Sequence, residues 1–226
     1  MVVRRKLASV LLVTAAFAQH SAPLPPNYKV ILNNADVLVQ RVHYGPHEIV
    51  PMHDHPAVAT VYVYLNNSGV VDIKHAGPHG FTVHRPPTQT GAFRVSPGRF
   101  ERHSVQNQSD LPSDFLRVEL KYVPVKSLPA EFRGEAPKEP FHSGFETLYE
   151  NPALRIERTV CVIDEKCTFA MVSSPSVVVV VPLQSTREPK ENPVIWVPAN
   201  KDLPASEPFE GLNDPREVLR IVLLKH

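Results

Sequence analysis

Short runs rich in valine and threonine recur along the chain, and clusters of proline, asparagine and aspartate separate them. Such runs between turn residues are typical of β-strands. No long segment has apolar positions at the spacing of an amphipathic helix. Proline, at 24 of 226 residues, exceeds its usual share of about 5% and disfavours long helices. The pattern predicts an all-β protein.

The chain also contains an internal repeat, which is the mark of a duplicated domain. The segment NADVLVQRVHYGPHEIV aligns without gaps with NPALRIERTVCVIDEKC, so that Asn34 lies over Asn151 and Arg41 over Arg158. Further along, PSDFLRVELK aligns with PREVLRIVLLK. We therefore predict two similar β domains at 19–122 and 141–226, joined by a proline-rich linker or arm at 123–140.

The first 18 residues have the features of an export signal. A basic cluster (Arg4, Arg5, Lys6) precedes an apolar run that ends in Ala-Phe-Ala, the small-x-small form of a cleavage site. The apolar run is shorter than the roughly 20 residues that span a bilayer, so an uncleaved anchor is the weaker alternative. The paired arginines leave the choice between general secretion and the twin-arginine route open. We expect a periplasmic or secreted protein with no membrane span after cleavage.

The charge of the chain argues against a nucleic-acid partner, and its two cysteines are candidates for a disulfide. Loss of the three basic signal residues takes the formal charge from +1 to −2, and no basic patch remains that would hold a nucleic acid. Cys161 and Cys167 flank the segment VIDEK. In an oxidising compartment they are candidates for a disulfide across a hairpin turn; two buried apolar thiols are the alternative.

Two segments of the first half carry a candidate site. They are GPHEIVPMHDHP, with Gly45, Pro51, His53, His55 and Pro56, and GAFRVSPGRFERHSVQN, with Gly91, Pro97, Gly98, His103 and Asn107. They resemble the two motifs of the cupin superfamily. The resemblance covers residues 30–121 and reaches the second half only through the repeat. It implies two jelly-roll β-barrels arranged as a bicupin, with His53, His55 and His103 at metal-ligand positions.

The same chemistry follows from strand geometry. Residues two apart on a strand share a face, so His53 and His55 are able to point at one position inside a barrel. With His103 from another strand they would form a three-nitrogen site for a divalent transition metal such as Fe, Zn, Ni, Cu or Mn. The alternative is a pair of hydrogen-bonded strand histidines without metal.

The sequence departs from the cupin pattern at the fourth ligand. The glutamate of the family would fall at Ala59 or Thr60, and neither supplies a carboxylate. The site is either a three-histidine variant or a weakened one. In the second half, His53 and His55 align with Ala170 and Val172, and the region matching His103 contains no histidine.

Further residues are expected around this site. Thr60 and Tyr62 have the strand parity of pocket-lining residues, and Asn107 shares the parity of His103 and would hydrogen-bond inside the barrel. Three histidines between the motifs are expected in loops or on the surface: His75, His79 and His84. The alternative is that one of them replaces the missing fourth ligand.

Two functions remain after these observations. One is a metal-dependent enzyme, oxidative as in the cupin-type thiol dioxygenases, that acts on a small-molecule or anionic ligand. The other is a non-catalytic binding or structural bicupin with a degraded site. No catalytic residue is identified beyond the ligands, and a homodimer is left open.

Overall fold

The structure, a computed structural model, describes residues 24–123, 130–165, 167, 169, 173–184, 192–201 and 215–224. These ranges contain strands and no helix, hence no helix long and apolar enough to cross a membrane. The all-β prediction is confirmed. The strands are β1 (Tyr28–Asn33), β2 (Val37–Tyr44), β3 (Ile49–His55), β4 (Thr60–Tyr64), β5 (Val71–His75), β6 (Thr82–Arg85), β7 (Phe93–Ser96), β8 (Glu101–Asn107), β9 (Ser113–Leu120), β10 (Phe132–Gly134), β11 (Gly144–Glu150), β12 (Leu154–Cys161), β13 (Ser176–Pro182), β14 (Val194–Val197) and β15 (Arg216–Leu223).

The first half consists of two antiparallel sheets that pack face to face. A six-stranded sheet has the order β1-β2-β9-β4-β7-β10, and a four-stranded sheet has the order β3-β8-β5-β6. Side chains of both sheets meet in one apolar cluster, which includes Val42 and Phe115 of the first sheet and Val50, Val71 and Val105 of the second. The candidate site lies between these two sheets.

The second half repeats the larger of these sheets. Its five strands have the order β11-β12-β15-β13-β14, which matches β1-β2-β9-β4-β7 strand for strand. No counterpart of the four-stranded sheet is present among the described residues of the second half. The signal segment 1–18, and the positions Ala170 and Val172 that align with the paired histidines, lie outside the described residues.

Local contacts of the two halves confirm the repeat in detail. The Asn34 side-chain oxygen accepts hydrogen bonds from the backbone N–H groups of residues 36 and 37. The Asn151 side-chain oxygen accepts the equivalent bonds from residues 153 and 154. Each asparagine thereby closes the turn that starts the following strand. Arg41 pairs with Asp114, and the aligned Arg158 pairs with Glu217.

The six-stranded sheet is the central layer of the molecule. Successive side chains along its strands point to opposite faces. One face packs on the four-stranded sheet, and the other packs on the sheet of the second half. Leu116 and Leu120 of β9 share a buried core with Ile156 of β12 and Ile221 of β15. Because both faces are covered, every residue of β9 is buried.

A close contact at Gly91 also joins the halves. Gly91 has a φ of +85°, and a Cβ there would clash with Oε2 of Glu217. Arg158 donates hydrogen bonds to the carbonyl oxygens of Gly91 and Glu135. The buried Arg158–Glu217 ion pair of the second half is therefore in contact with the backbone just before β7 and with the backbone of the arm that follows β9.

The predicted linker at 123–140 contains a strand. Residues 124–129 lie outside the described ranges, but β10 pairs antiparallel with β7 and extends the six-stranded sheet. This segment is therefore an arm bound to the first half before the chain enters β11. The domain boundaries themselves stay a prediction. At the end of β12, the structure pairs Cys161 with Cys167 in a disulfide.

Candidate metal centre

Three histidines converge between the two sheets of the first half. His53 and His55 lie two apart on β3, and the antiparallel pairing of β3 with β8 sets His53 directly opposite His103. Their ring centroids are 4.8 to 5.0 Å apart. One potential ligand nitrogen from each ring lies within 4.8 Å of the others. Among the described residues, this cluster includes no carboxylate.

Burial keeps the three imidazoles neutral. His53 and His55 are 2% exposed and His103 is 6% exposed. Loss of hydration lowers the pKa of all three, and the neighbouring imidazoles and Arg117 add to the shift at His55. For His103 the pKa falls to about 3. Only a neutral imidazole offers a lone pair to a metal ion, so the environment favours the ligating form.

Two of the three histidines have a buried nitrogen without a hydrogen-bond partner. Nδ1 of His55 and Nδ1 of His103 are buried and have no hydrogen-bond partner. A buried polar atom without a partner costs free energy unless a ligand or an ion engages it. Three nitrogen donors without a carboxylate suit a borderline divalent transition metal better than calcium or magnesium. These residues fit such an ion.

His53 is held by hydrogen bonds on both ring nitrogens. Nδ1 lies 2.7 Å from the carbonyl oxygen of Pro51, and Nε2 lies 2.9 Å from the hydroxyl of Tyr28. Since a carbonyl only accepts, Nδ1 carries the proton and the Tyr28 hydroxyl donates to Nε2. Tyr28 also contacts the Tyr44 hydroxyl at 2.8 Å. Burial raises the pKa of Tyr28 well above its usual value, so its hydroxyl remains a neutral donor.

The position of the missing glutamate is filled by apolar and hydroxyl groups. Ala59 and Thr60 are both buried, and the Thr60 hydroxyl donates a hydrogen bond to the Val58 carbonyl oxygen. The carboxylate near His103 is that of Glu101, whose Oε2 lies 3.8 Å from His103 Nδ1. Glu101 is bound at 2.7 Å by Arg99.

A cavity opens beside the cluster, and it includes some but not all of the expected residues. His55, His103 and Tyr62 line it. Thr60 does not, because it stands at the start of β4 and is bonded to its own turn. Asn107 is fully buried on the face of His103, but its amide donates to the carbonyl oxygens of Gly45 and Leu111 and ties together the loops at the far end of β8.

One of the expected surface histidines lies at the site. His75 ends β5 opposite His103, with the ring centroids 5.3 Å apart, and its ring stacks on Phe81. It is 9% exposed and lines the cavity, so the expectation of a surface position is wrong for this residue. His84 is largely exposed and pairs with Asp72, as a surface histidine does.

Comparisons with known proteins address the fold. No family model and no curated protein matches this chain. Among solved structures, AerE from Microcystis aeruginosa is 12% identical, covers 88% of this chain and 98% of its own, and has a TM-score of 0.52. The bacterial pirin YhhW from Escherichia coli, in complex with nickel(II), is 12% identical, covers 87% and 90%, and has a TM-score of 0.50. A cupin domain from Bordetella pertussis is 24% identical over 42% of this chain and 91% of its own, at a TM-score of 0.35.

The chain has the cupin fold. This confirms the resemblance that the two motifs carry. Three residues of the site stand outside both motifs: Tyr28 at the start of β1, His75 at the end of β5 and Arg85 at the end of β6. The sequence around them contains no signal of function, because each reaches the site only through sheet pairing and packing.

Proposed function

We propose that this chain is an exported cupin protein that binds one divalent transition metal through His53, His55 and His103 and acts as a metal-dependent oxidoreductase on a small molecule. The observation that carries the proposal is the convergence of three buried, neutral imidazoles. The unpartnered nitrogens of two of them support it further. Export rests on the sequence of residues 1–18.

The chemistry divides between the metal and the protein. A divalent ion held by three neutral ligands would keep its full charge and supply Lewis-acid or oxygen chemistry. The chain's own residues fix the ligand geometry: the Pro51 carbonyl accepts from Nδ1 of His53 and so leaves the lone pair on Nε2, and the β3–β8 pairing sets His103 opposite His53. Aromatic rings at Tyr62, Tyr64 and Phe115 wall the cavity and limit the entry of water.

The test is metal analysis of protein purified without a histidine tag, because a tag would supply competing imidazoles. The protein is loaded separately with Fe(II), Zn(II), Ni(II), Cu(II) and Mn(II); nickel belongs in this panel because the pirin of the same fold was solved with it. We expect about one ion per chain, and loss of that ion in the double variant His53→Ala/His55→Ala and in His103→Ala.

The exposed His84 provides the matched control. Its side chain is 71% exposed, so His84→Ala removes one imidazole without touching the cluster and should leave the metal content unchanged. Equal metal content in the double variant and in wild type would refute the proposal. Oxygen consumption by the iron-loaded protein with candidate substrates then tests the oxidative activity.

A non-catalytic binding cupin is the second candidate. Two observations favour it: no carboxylate belongs to the cluster within the described residues, and the Tyr28 hydroxyl already occupies Nε2 of His53. A wild-type protein that takes up no metal from the panel would support this candidate. In either case we propose a small-molecule or anionic ligand and no nucleic-acid partner, and a homodimer stays open.

A further inference from the structure

Four arginines line the cavity beside the histidine cluster, and one of them differs from the rest. Three pair with a carboxylate: Arg94 with Glu131 at 3.1 Å, Arg99 with Glu101 at 2.7 Å, and Arg117 with Glu119. Arg85 has no carboxylate partner within the part of the chain that the structure describes. The cavity wall therefore carries one guanidinium charge more than its carboxylates balance.

Arg85 is buried, and its contacts do not neutralise it. It is 8% exposed, and Nη2 donates to the hydroxyls of Ser68 at 3.1 Å and Ser113 at 2.9 Å. The guanidinium carbon lies 5.5 Å from the centre of the Tyr64 ring and 5.8 Å from that of Phe115. Nε is buried without a partner. The hydroxyls and rings hold the fork in place while leaving a donor free.

A charge in this position is costly unless an anion accompanies it. A buried ion without a counterion loses its hydration, and neutral hydroxyls and aromatic rings compensate for that loss only in part. Burial lowers the pKa of the Arg85 guanidinium from its usual value, but arginine keeps its proton in proteins and does not escape that cost by becoming neutral. Because Arg85 lines the cavity, the counterion that the protein does not provide is able to come from a ligand.

We propose that Arg85 is the anchor for the carboxylate of a small organic acid bound in this cavity. The guanidinium charge, together with the N–H donors that the two serines leave free, would form charge-assisted hydrogen bonds to a carboxylate. The rings of Tyr62, Tyr64 and Phe115 would pack on the body of the acid, and its far end would face His55 and His103. The inference deepens the proposed function and rests on it, because it names the substrate class of the same site.

The test measures ligand binding to tag-free, zinc-loaded protein by calorimetry. Benzoate and acetate are titrated alongside benzamide and acetamide, which have nearly the same shape and no charge. We expect at least one acid to bind and its amide to bind at least about tenfold more weakly, since charge-assisted pairs are roughly twice as strong as neutral ones. In Arg85→Gln we expect at least about a tenfold loss for the acid and little change for the amide.

Arg133→Gln is the matched control, because Arg133 is 59% exposed and lies on β10 away from the cavity lining. It should bind the acid as wild type does. Circular dichroism and zinc stoichiometry show whether Arg85→Gln remains folded with its metal site intact. If neither acid binds wild type, or if Arg85→Gln binds the acid equally well, the proposal is overturned.

Zinc uptake separates this inference from the proposed function. If wild type binds no zinc, the metal proposal fails, and the acids are then titrated into the metal-free protein. Arg85-dependent binding of an acid there would uphold the anchor on its own. Zinc uptake without Arg85-dependent acid binding would overturn the anchor and leave the metal site standing.

Discussion

The substitution Ile221→Ala tests whether the second half supports the site of the first. Ile221 lies on β15, is fully buried, and belongs to the core that also includes Leu116 and Leu120 of β9. Strand β9 is the neighbour of β4 and β2 in the sheet that forms one wall of the cavity. If this core is one cooperative unit, the void left by Ile221→Ala in the second half lowers the free energy of unfolding of both halves by the same amount.

The magnitude follows from the burial of Ile221. Truncation of a fully buried isoleucine to alanine costs about 2–5 kcal/mol, against a total of about 5–15 kcal/mol for a typical protein. For a chain of this size a loss of about 3 kcal/mol lowers the melting temperature by roughly 6–12 °C. Such a shift is large compared with the error of a thermal or urea scan.

Two probes follow the halves separately. Trp196 on β14 is the only tryptophan of the chain, so its fluorescence reports the second half. Hydrogen exchange of β9 amides reports the first. We expect the urea transitions of both probes to coincide in wild type and to shift together in Ile221→Ala. The reciprocal variant Leu116→Ala should shift the Trp196 signal as well.

The control is Lys201→Ala, an exposed substitution in the second half, which should move neither transition. Separate transitions would refute the reasoning, above all a shift at Trp196 with unchanged exchange protection in β9. The halves would then be independent units that happen to touch.

Three more predictions concern the site and the disulfide. Tyr28→Phe removes the hydroxyl that occupies Nε2 of His53, the nitrogen whose lone pair a metal would take, and should strengthen zinc binding by up to about tenfold, because a competing hydrogen bond of about 1 kcal/mol is lost; competition with a chelator measures the affinity, and weaker binding in the variant would contradict this reasoning. Thiol titration of native protein should find neither Cys161 nor Cys167 reactive, and two titratable thiols would contradict the pairing. The metal-free protein should lose stability as the pH falls below about 6.5. Burial lowers the pKa of the three site histidines in the folded state, so the unfolded chain binds more protons below that pH. Melting temperatures at pH 7.5 and 5.5 test this, and a higher melting temperature at pH 5.5 would contradict the prediction.

The sequence by itself determined the features that depend on local order. Residues two apart on a strand share a face, so His53 and His55 were predictable as a pair from β-strand parity alone. The repeat likewise predicted matched strands and the equivalence of Arg41 with Arg158, since a duplicated sequence retains the turns and ion pairs of its parent. Proline content and short valine-rich runs were enough for the all-β class.

Parity alone does not specify the position of a side chain along the strand. Thr60 has the parity of Tyr62, but it stands at the strand end and bonds to its own turn instead of lining the cavity. Asn107 faces inward as expected, yet it ties loops together beyond the cavity. Parity gives the side of a sheet and says nothing about how far along that side a cavity extends.

Only the tertiary structure decided which distant residues meet. The pairing of β3 with β8 and of β8 with β5 brings His53, His103 and His75 into one row, and the packing of two sheets sets Tyr28 against His53. The unbalanced charge of Arg85 is visible only when the partners of the other three arginines are known. Such contacts depend on strand order and on which sheet covers which, and these arise from the packing of the whole chain, for which no single segment carries the information.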